Sequence, residues 1–465
     1  MPFDEPELFL GLHPTVETVT VGEMSAQFHL TFERQIDVTW TDSRVAPLLR
    51  SLSGPGIALA AWKPTGDDTA LAEEAEQLLR SLIRKRQISW WYGTAEHRLF
   101  DIVPLQGNID PRRPASGDIA RYTLSDLATL TYHDDVPTLF HPVVPAVICF
   151  CAEGLTLLPA LLSHGRPGAK ALPPLPLPVA TLFAQCGILT DPATVSPGQR
   201  DWSAPEWLMH RSTRSDGFLD TMGRLKEQPK LENLPVRRAR SGHAIALPAV
   251  ADSAAQSPFA LLMDARRSRR RPTANPLTAT ELSSVLWRVA RYRNDRPDAV
   301  PPFALRNVPG GGGLGEIEYY VGINRCQGVE RGFYLYDGHD HTLDLVAPAG
   351  PQLDRYFDET ALRLTIGDQR PDCTILLTSR LSRLAQKYYG FSYRLTLLHV
   401  GVAYEALYLA ATELGLSACA IGMVDMGNFR ALTGHDPFVE TSVGEFALSG
   451  RPVSQGNLSP PDTIH

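Results

Sequence analysis

The sequence predicts a protein of mixed helix and strand architecture, α+β or α/β, divided into about three domains. Three observations carry this. The chain has 465 residues, beyond the size of one hydrophobic core. Its first ~115 residues set one clear amphipathic helix among short strand patterns. From Pro258 to about Pro452, helix and strand signals alternate. Hydrophobic residues make up 43% and charged residues 20%, ordinary globular usage that excludes bulk disorder. Lys and Arg number 44 against 51 Asp and Glu, a net charge of −7, which gives a general nucleic-acid binder no support.

Ala26 to Trp40 partly alternates apolar and polar residues, as a half-buried strand does. Thr69 to Arg86 carries Leu71, Ala75, Leu78, Leu79, Leu82 and Ile83 at three- and four-residue steps, which predicts a helix. Ile88-Ser-Trp-Trp-Tyr92 then reads as a strand, and a helix followed by a β-hairpin is the outline of a winged-helix unit. Asn108 to Ser116 is a breaker-rich linker. Beyond it, Tyr122 to Leu124, Leu127 to Thr131 and Leu139 to Val143 suggest short strands. Leu155 to Ser163 and Pro178 to Gly187 suggest helices. Pro173-Pro-Leu-Pro-Leu-Pro178 is a stiff linker or a proline-motif ligand. Trp202 to Leu225 holds a connecting helix anchored by Trp207, Met209, Phe218 and Met222, and Glu227 to Leu247 reads as a solvated linker.

Chemistry concentrates in the last domain. Arg266-Arg-Ser-Arg-Arg-Arg271 is the densest basic cluster. Forked guanidinium donors and the Ser268 hydroxyl suit a phosphate monoester; a solvated patch or a localisation signal would share the composition. Thr278-Ala-Thr-Glu281 forms a capping box ahead of an inward stripe of Leu282, Val285, Leu286 and Val289. Gly310, Gly312 and Gly315 satisfy GxGxxG, but strand-like Ile317 to Ile323 follows where a dinucleotide fold needs a helix, and no Lys-Ser/Thr follows for a P-loop. The glycines either admit a flat ligand or a second subunit, or form a flexible loop. Lys387-Tyr388, after a helix predicted over Ser382 to Gln386, can supply an ammonium and a phenol for proton transfer if burial shifts them; surface packing is the alternative. Leu397 to Gly415 reads as a buried central helix rich in small residues, and Gly422 is a position for close backbone approach to a ligand. His210 and His399 are isolated and are read as packing residues. Six cysteines without a CxxC pair favour neither a zinc ribbon nor a thioredoxin site, so no metal is expected. Few cysteines in a long chain fit a reducing compartment. The amino terminus lacks the basic start and apolar run of a signal peptide. The expectation is a cytoplasmic chain with neither membrane nor nucleic-acid partners.

In this order, these segments resemble the SagB/McbC-type flavin-dependent azoline dehydrogenases, a branch of the nitroreductase fold. The residues that carry the resemblance are Arg266 to Arg270, Pro276 to Leu282 with Leu286-Trp287, Pro309 to Glu318, Gly332 to Asp337, Lys387-Tyr388, Tyr393-Arg394, Leu407 to Leu416 and Gly450 to Pro452. The N-terminal half is similar to the peptide-clamp regions of cyanobactin-type oxidases. The resemblance implies an α+β domain over 251–465, with an antiparallel-rich sheet flanked by helices. Two winged-helix-like, precursor-recognition modules at 1–115 and 116–200 and a connecting segment at 201–250 would precede it.

The resemblance also implies FMN. Arg266, Arg267, Ser268 and Arg270 would hold its phosphate and ribityl end, with Arg451 as a further phosphate ligand. Pro309, Gly310, Gly311, Gly312 and Gly313 would approach the flavin across a homodimer interface. The backbone at Ile421 and Gly422 would contact the ring, and Lys387 and Tyr388 would abstract the proton. The implied reaction oxidises thiazolines or oxazolines to thiazoles or oxazoles in a ribosomally made, leader-bearing precursor peptide, and it allows a complex with a cyclodehydratase. Alternative readings are an NAD(P)H-dependent nitro or quinone reductase, oxidation of a carrier-bound thiazoline, and a non-catalytic peptide-binding subunit. The sequence departs from the family pattern at Gly310, Gly315 and Glu316, where the family has Ser, His or Tyr, and Pro. In the central helix, His399, Val402, Glu405 and Ala406 stand at the family's Glu, His, Gln and Asn positions.

Overall fold

The computed structural model describes residues 7–13, 16–30, 34–52, 57–62, 68–84, 87–94, 97–104, 117–133, 135–141, 146–166, 173–213, 245–296, 303–364 and 369–452. The chain forms two compact units, residues 1–196 with 203–228, and residues 197–202 with 229–465.

The first unit opens with β1 (Glu7–Leu12), then β2 (Val16–Val21), β3 (Ser25–Leu30) and β4 (Arg34–Thr39). Ala26 to Trp40, expected as one strand, is therefore a hairpin whose two arms join β2 in a three-stranded sheet. Helix α1 (Ala46–Leu52), β5 (Ile57–Ala58) and α2 (Thr69–Arg84) follow. The α2 stripe of Leu71, Leu78, Leu79, Leu82 and Ile83 is buried, as its spacing requires. The hairpin β6 (Ile88–Gly93) and β7 (Arg98–Pro104) comes next, giving the expected succession of helix and hairpin.

After β8 (Thr123–Leu124) come β9 (Thr129–His133), β10 (Val136–Phe140), β11 (Ala146–Phe150), α3 (Leu158–Ser163), α4 (Leu177–Gln185), β12 (Leu189–Thr190) and α5 (Ala204–Ser212). Here the structure differs from a division at 115/116. β7 pairs antiparallel with β11, and one seven-stranded sheet runs β5-β1-β6-β7-β11-β10-β9 through both segments. Phe100 on β7 shows why: it packs on Tyr92, on Phe150 of β11 and on Phe183 of α4 within a single apolar core. The expected anchors Phe218 and Met222 and most of the linker at Glu227 to Leu247 lie outside the described residues.

The second unit begins with α6 (Asp252–Ala255) and α7 (Pro258–Ala265), then β13 (Leu277–Thr278) and α8 (Ala279–Val289). The α8 capping box forms as read: the Glu281 amide donates to Thr278 Oγ1, and the Glu281 carboxylate accepts from the Thr278 amide and hydroxyl. Strands β14 (Tyr292–Arg296) and β15 (Phe303–Arg306) make a hairpin. They are followed by β16 (Ile317–Ile323), β17 (Cys326–Gln327), β18 (Gly332–Asp337), β19 (Thr342–Pro348), α9 (Pro351–Arg363), β20 (Cys373–Ser379), α10 (Leu381–Tyr388), α11 (Ser392–Glu413), β21 (Ser417–Ile421), α12 (Met426–Thr433) and β22 (Thr441–Ser449).

Six strands form an antiparallel sheet in the order β19-β18-β16-β20-β22-β21. Along β22 the side chains alternate between faces. Phe446 packs on Tyr404 and Tyr408 of α11, while Glu445 reaches Thr360 and Arg363 of α9. A Cβ at Gly444 would come within 2.7 Å of Val400 and of the Tyr404 hydroxyl, so glycine there lets α11 lie against the sheet. On the opposite face, Leu353, Tyr356 and Phe357 of α9 and Phe429 of α12 cover Tyr320 and Phe333. Helices thus flank both faces, an α+β domain as expected.

The central helix, read as buried, is only partly so. Leu398, Gly401 and Val402 form an exposed face. Its length and composition alone would suffice to cross a membrane, but Val400, Ala403 and Leu407 lie in the protein interior.

Candidate active site

Two clusters assemble on α11. The first lies on its N-terminal half. Arg306, at the end of β15, anchors the glycine-rich segment: its guanidinium donates to the carbonyls of Ala290 and Ile317 and to the Tyr292 hydroxyl, and pairs with Glu318 at 3.2 Å. Burial pushes the Glu318 carboxyl above its ordinary range, with the Arg306 charge opposing.

From this anchor the chain turns through Gly312, Gly313 and Gly315 at φ of 60°, 71° and 57°, left-handed values that explain why glycines stand there. The loop runs directly into the predicted catalytic pair. A Cβ on Gly312 would lie 3.1 Å from Lys387 Nζ and 3.2 Å from Tyr388 Oη. One on Gly311 would lie 2.7 Å from Leu384 and 3.1 Å from the His399 ring.

Lys387 and Tyr388 occupy the last turn of α10, not a segment after it. Gly390, at φ 85°, then reverses the chain into α11. Lys387 Nζ sits 5.3 Å from the centre of the Tyr388 ring. Tyr388 is half-buried and Lys387 exposed, so this chain alone does not supply the burial that the sequence argument asked of the lysine. His399 departs from the isolated packing role: its Nδ1 contacts the buried Glu316 carboxylate. Both side chains line a cavity of about 180 Å³ together with Arg306, Pro309 and Gly313.

The second cluster lies on the C-terminal half of α11. Ser268 Oγ and Tyr408 Oη are 2.9 Å apart, the Ala420 amide donates to that same phenol at 2.8 Å, and the Arg266 guanidinium stands 5.2 Å from the Tyr408 ring. Burial pushes the Tyr408 phenol up. The Arg269 amide donates to the Ala418 carbonyl, which lays the basic segment along β21. Arg269, Arg270 and Arg271 have no carboxylate partner among the described residues, whereas Arg267 folds back on the carbonyls of Asp264 and Arg266. Tyr404 Oη donates to the Ile421 carbonyl and accepts from the Glu445 amide, which fixes the end of β21. A Cβ at Gly422 would meet nothing within 4 Å, so the space there is open.

The structure therefore does not gather every predicted residue into one place. His399 and Tyr408 are nine residues apart on α11, about 14 Å of helix rise. Arg451 is elsewhere again, held by Glu281 at 3.0 Å. Sequence reasoning missed Tyr404, Tyr408, Arg306 and the Glu316–His399 contact. The four-residue spacing of the two tyrosines was a usable signal for one helix face.

A helix-flanked antiparallel sheet, with a glycine loop at a Lys-Tyr pair and a separate Arg/Ser segment, makes up an α+β domain with a nitroreductase-like fold. Residues 263–448 match the profile of the nitroreductase family. Two curated relatives are each 27% identical. MJ1384 of Methanocaldococcus jannaschii, named as a nitroreductase, aligns over 34% of this chain and 74% of its own length. The trifolitoxin-processing protein TfxB of Rhizobium leguminosarum bv. trifolii aligns over 36% of this chain and 47% of its own, so the match spans about half of that relative.

Among solved structures, the E. coli microcin synthetase McbBCD complex with truncated pro-MccB17 bound is similar at 17% identity and TM-score 0.36, covering 51% of this chain and 81% of that one. A Desulfovibrio desulfuricans nitroreductase in complex with FMN is similar at 16% identity and TM-score 0.26, covering 44% and 92%.

Proposed function

We propose that this protein is an FMN-dependent dehydrogenase that oxidises thiazoline or oxazoline rings to azoles in a ribosomally made precursor peptide. The observation that carries this reading is the meeting of Gly311 and Gly312 with Lys387 and Tyr388, which places two proton-handling groups beside a backbone with no side chains in the way. The family match and the relative named for processing trifolitoxin support it.

The residues fit a phosphorylated flavin. Guanidinium groups that have no carboxylate partner among the described residues lie beside Ser268, and the backbone at Gly422 faces open space. In this reading Arg266, Ser268, Arg269 and Arg270 hold the phosphate, and Ile421 and Gly422 approach the ring by their backbone. Arg267 and Arg451, already engaged, contribute less. Bound FMN supplies a two-electron hydride acceptor.

The chain itself does the acid–base work. Lys387 and Tyr388 take the proton from the azoline ring carbon, and the left-handed glycines let the flat ring approach them. Since the two clusters stand at separate places on α11, each site is completed across a homodimer, by the loop from Pro309 to Gly313 of one subunit and the Arg/Ser segment of the other. The first unit, with helix α2 followed by the β6–β7 hairpin, holds the leader in this reading, raising the effective concentration of successive rings, and a cyclodehydratase partner supplies them. The reading keeps the protein in the cytoplasm.

The test is purified protein with a synthetic thiazoline peptide under air, without NAD(P)H. Loss of two hydrogens per ring by mass spectrometry is expected. Lys387→Ala should keep bound flavin and lose at least about a hundredfold in turnover, within the usual range for a proton-transfer group. Rapid bleaching by NADPH with no azoline turnover overturns the reading in favour of a nitro or quinone reductase.

A further inference from the structure

We infer that His399, held by the buried carboxylate of Glu316, is the group to which the Lys387–Tyr388 pair passes its proton. This rests on the proposed azoline reading and deepens it.

The geometry has three parts. First, Glu316 is almost wholly buried, its side chain 1% exposed, and its carboxylate contacts His399 Nδ1; the carboxylate comes from the loop and the imidazole from α11. A carboxylate on Nδ1 fixes the imidazole with its proton on that nitrogen and leaves Nε2 as the acceptor. Second, the His399 ring and the Tyr388 ring flank one backbone position: a ring carbon of each lies 3.1 and 3.6 Å from a Cβ built on Gly311, so those two carbons are at most 6.7 Å apart. The proposed transfer runs through water between the two rings. Third, the pair lines a cavity, with His399 14% exposed, so a proton on Nε2 has a way out to solvent.

The step balances simply. The proposed oxidation removes a hydride to the flavin from one ring C–H bond and a proton from the neighbouring ring atom, and the electron pair left by that proton closes the new ring double bond. The proton goes to the Lys387–Tyr388 pair and from there to His399 Nε2. The resulting imidazolium is neutralised by the Glu316 carboxylate, and water removes the proton. His399 thus acts through Tyr388 and Lys387 as a positioning and relay residue. The charged or titratable groups facing it are Glu316 from the loop, Lys387 and Tyr388 from α10, and Arg306 and Tyr319 across the cavity.

The experiment compares the purified flavin-loaded protein with Glu316→Gln and His399→Gln. Histidine side-chain 15N NMR reads the tautomer of His399. Turnover of a synthetic thiazoline peptide is read alongside flavin stoichiometry and melting temperature. Expected for Glu316→Gln is loss of the Nδ1–H tautomer with flavin content unchanged. His399→Gln should lose at least about tenfold in turnover while keeping its flavin. An Nδ1–H tautomer that persists in Glu316→Gln shows that the carboxylate does not set it and overturns the proposal; so does full turnover in His399→Gln. Wild-type protein that binds flavin but oxidises no thiazoline peptide overturns the azoline reading, whereas full turnover in His399→Gln overturns the relay alone, which separates the two failures.

Discussion

Tyr408 shows how much one phenol organises. Its oxygen meets the Ser268 hydroxyl and the Ala420 amide, tying the basic segment to the strand that ends at Ile421. Tyr408→Phe removes both bonds and keeps the ring. At roughly 1 kcal/mol per bond, FMN affinity should fall about tenfold or more, measured by fluorescence titration, with little change in folding if the segment's role is cofactor binding. Residue identities of this kind were partly legible. The Arg/Ser cluster and the Lys-Tyr pair stood out because guanidinium, ammonium and phenol announce their chemistry. Tyr408 did not, because a tyrosine on an apolar helix face looks like packing until its hydroxyl is given a partner.

Individual elements are pinned by buried polar links that no periodicity reveals. Helix α9 is held to β22 by Arg363 and Glu445, 2.7 Å apart with side chains 9% and 0% exposed, and Thr360 donates to the same carboxylate. Arg363→Met leaves that carboxylate uncompensated and should cost about 3–5 kcal/mol in urea unfolding of this domain, whereas Arg363→Met with Glu445→Leu should recover most of it. In the first unit, burial pushes His141, just past β10, down to about 4 from its ordinary 6.5. The folded state keeps this imidazole neutral where the unfolded chain protonates it. Its contribution is therefore complete above about pH 6.5 and is lost as pH falls toward 4, by about 3 kcal/mol in all. Urea midpoints between about pH 4 and 7 should show this slope, and His141→Asn should flatten it.

For the whole molecule, the open question is what covers its exposed apolar surface. Phe259, Leu261 and Met263 of α7 are 66%, 47% and 43% exposed, and Leu398 and Val402 of α11 are 51% and 41%. Surface of this kind on two helices fits a second copy of the chain. Light scattering should give about twice the 51.1 kDa chain mass, and Leu398→Glu with Val402→Glu should yield monomers that no longer retain flavin. A monomeric wild type that holds stoichiometric flavin would refute the shared site.

What the sequence determined by itself is local: the stripes of α2 and α8, the capping box of α8, the strand after the glycine run, and the glycines whose positive φ that turn demands. These follow from side-chain period and backbone sterics within a few residues. Only the tertiary structure decided that one sheet spans residues 7–150 in the first unit, that one face of α11 stays open, and that Glu316 meets His399 across 83 positions of chain. Such pairings depend on how distant segments close on one another, and no short window of sequence contains both partners.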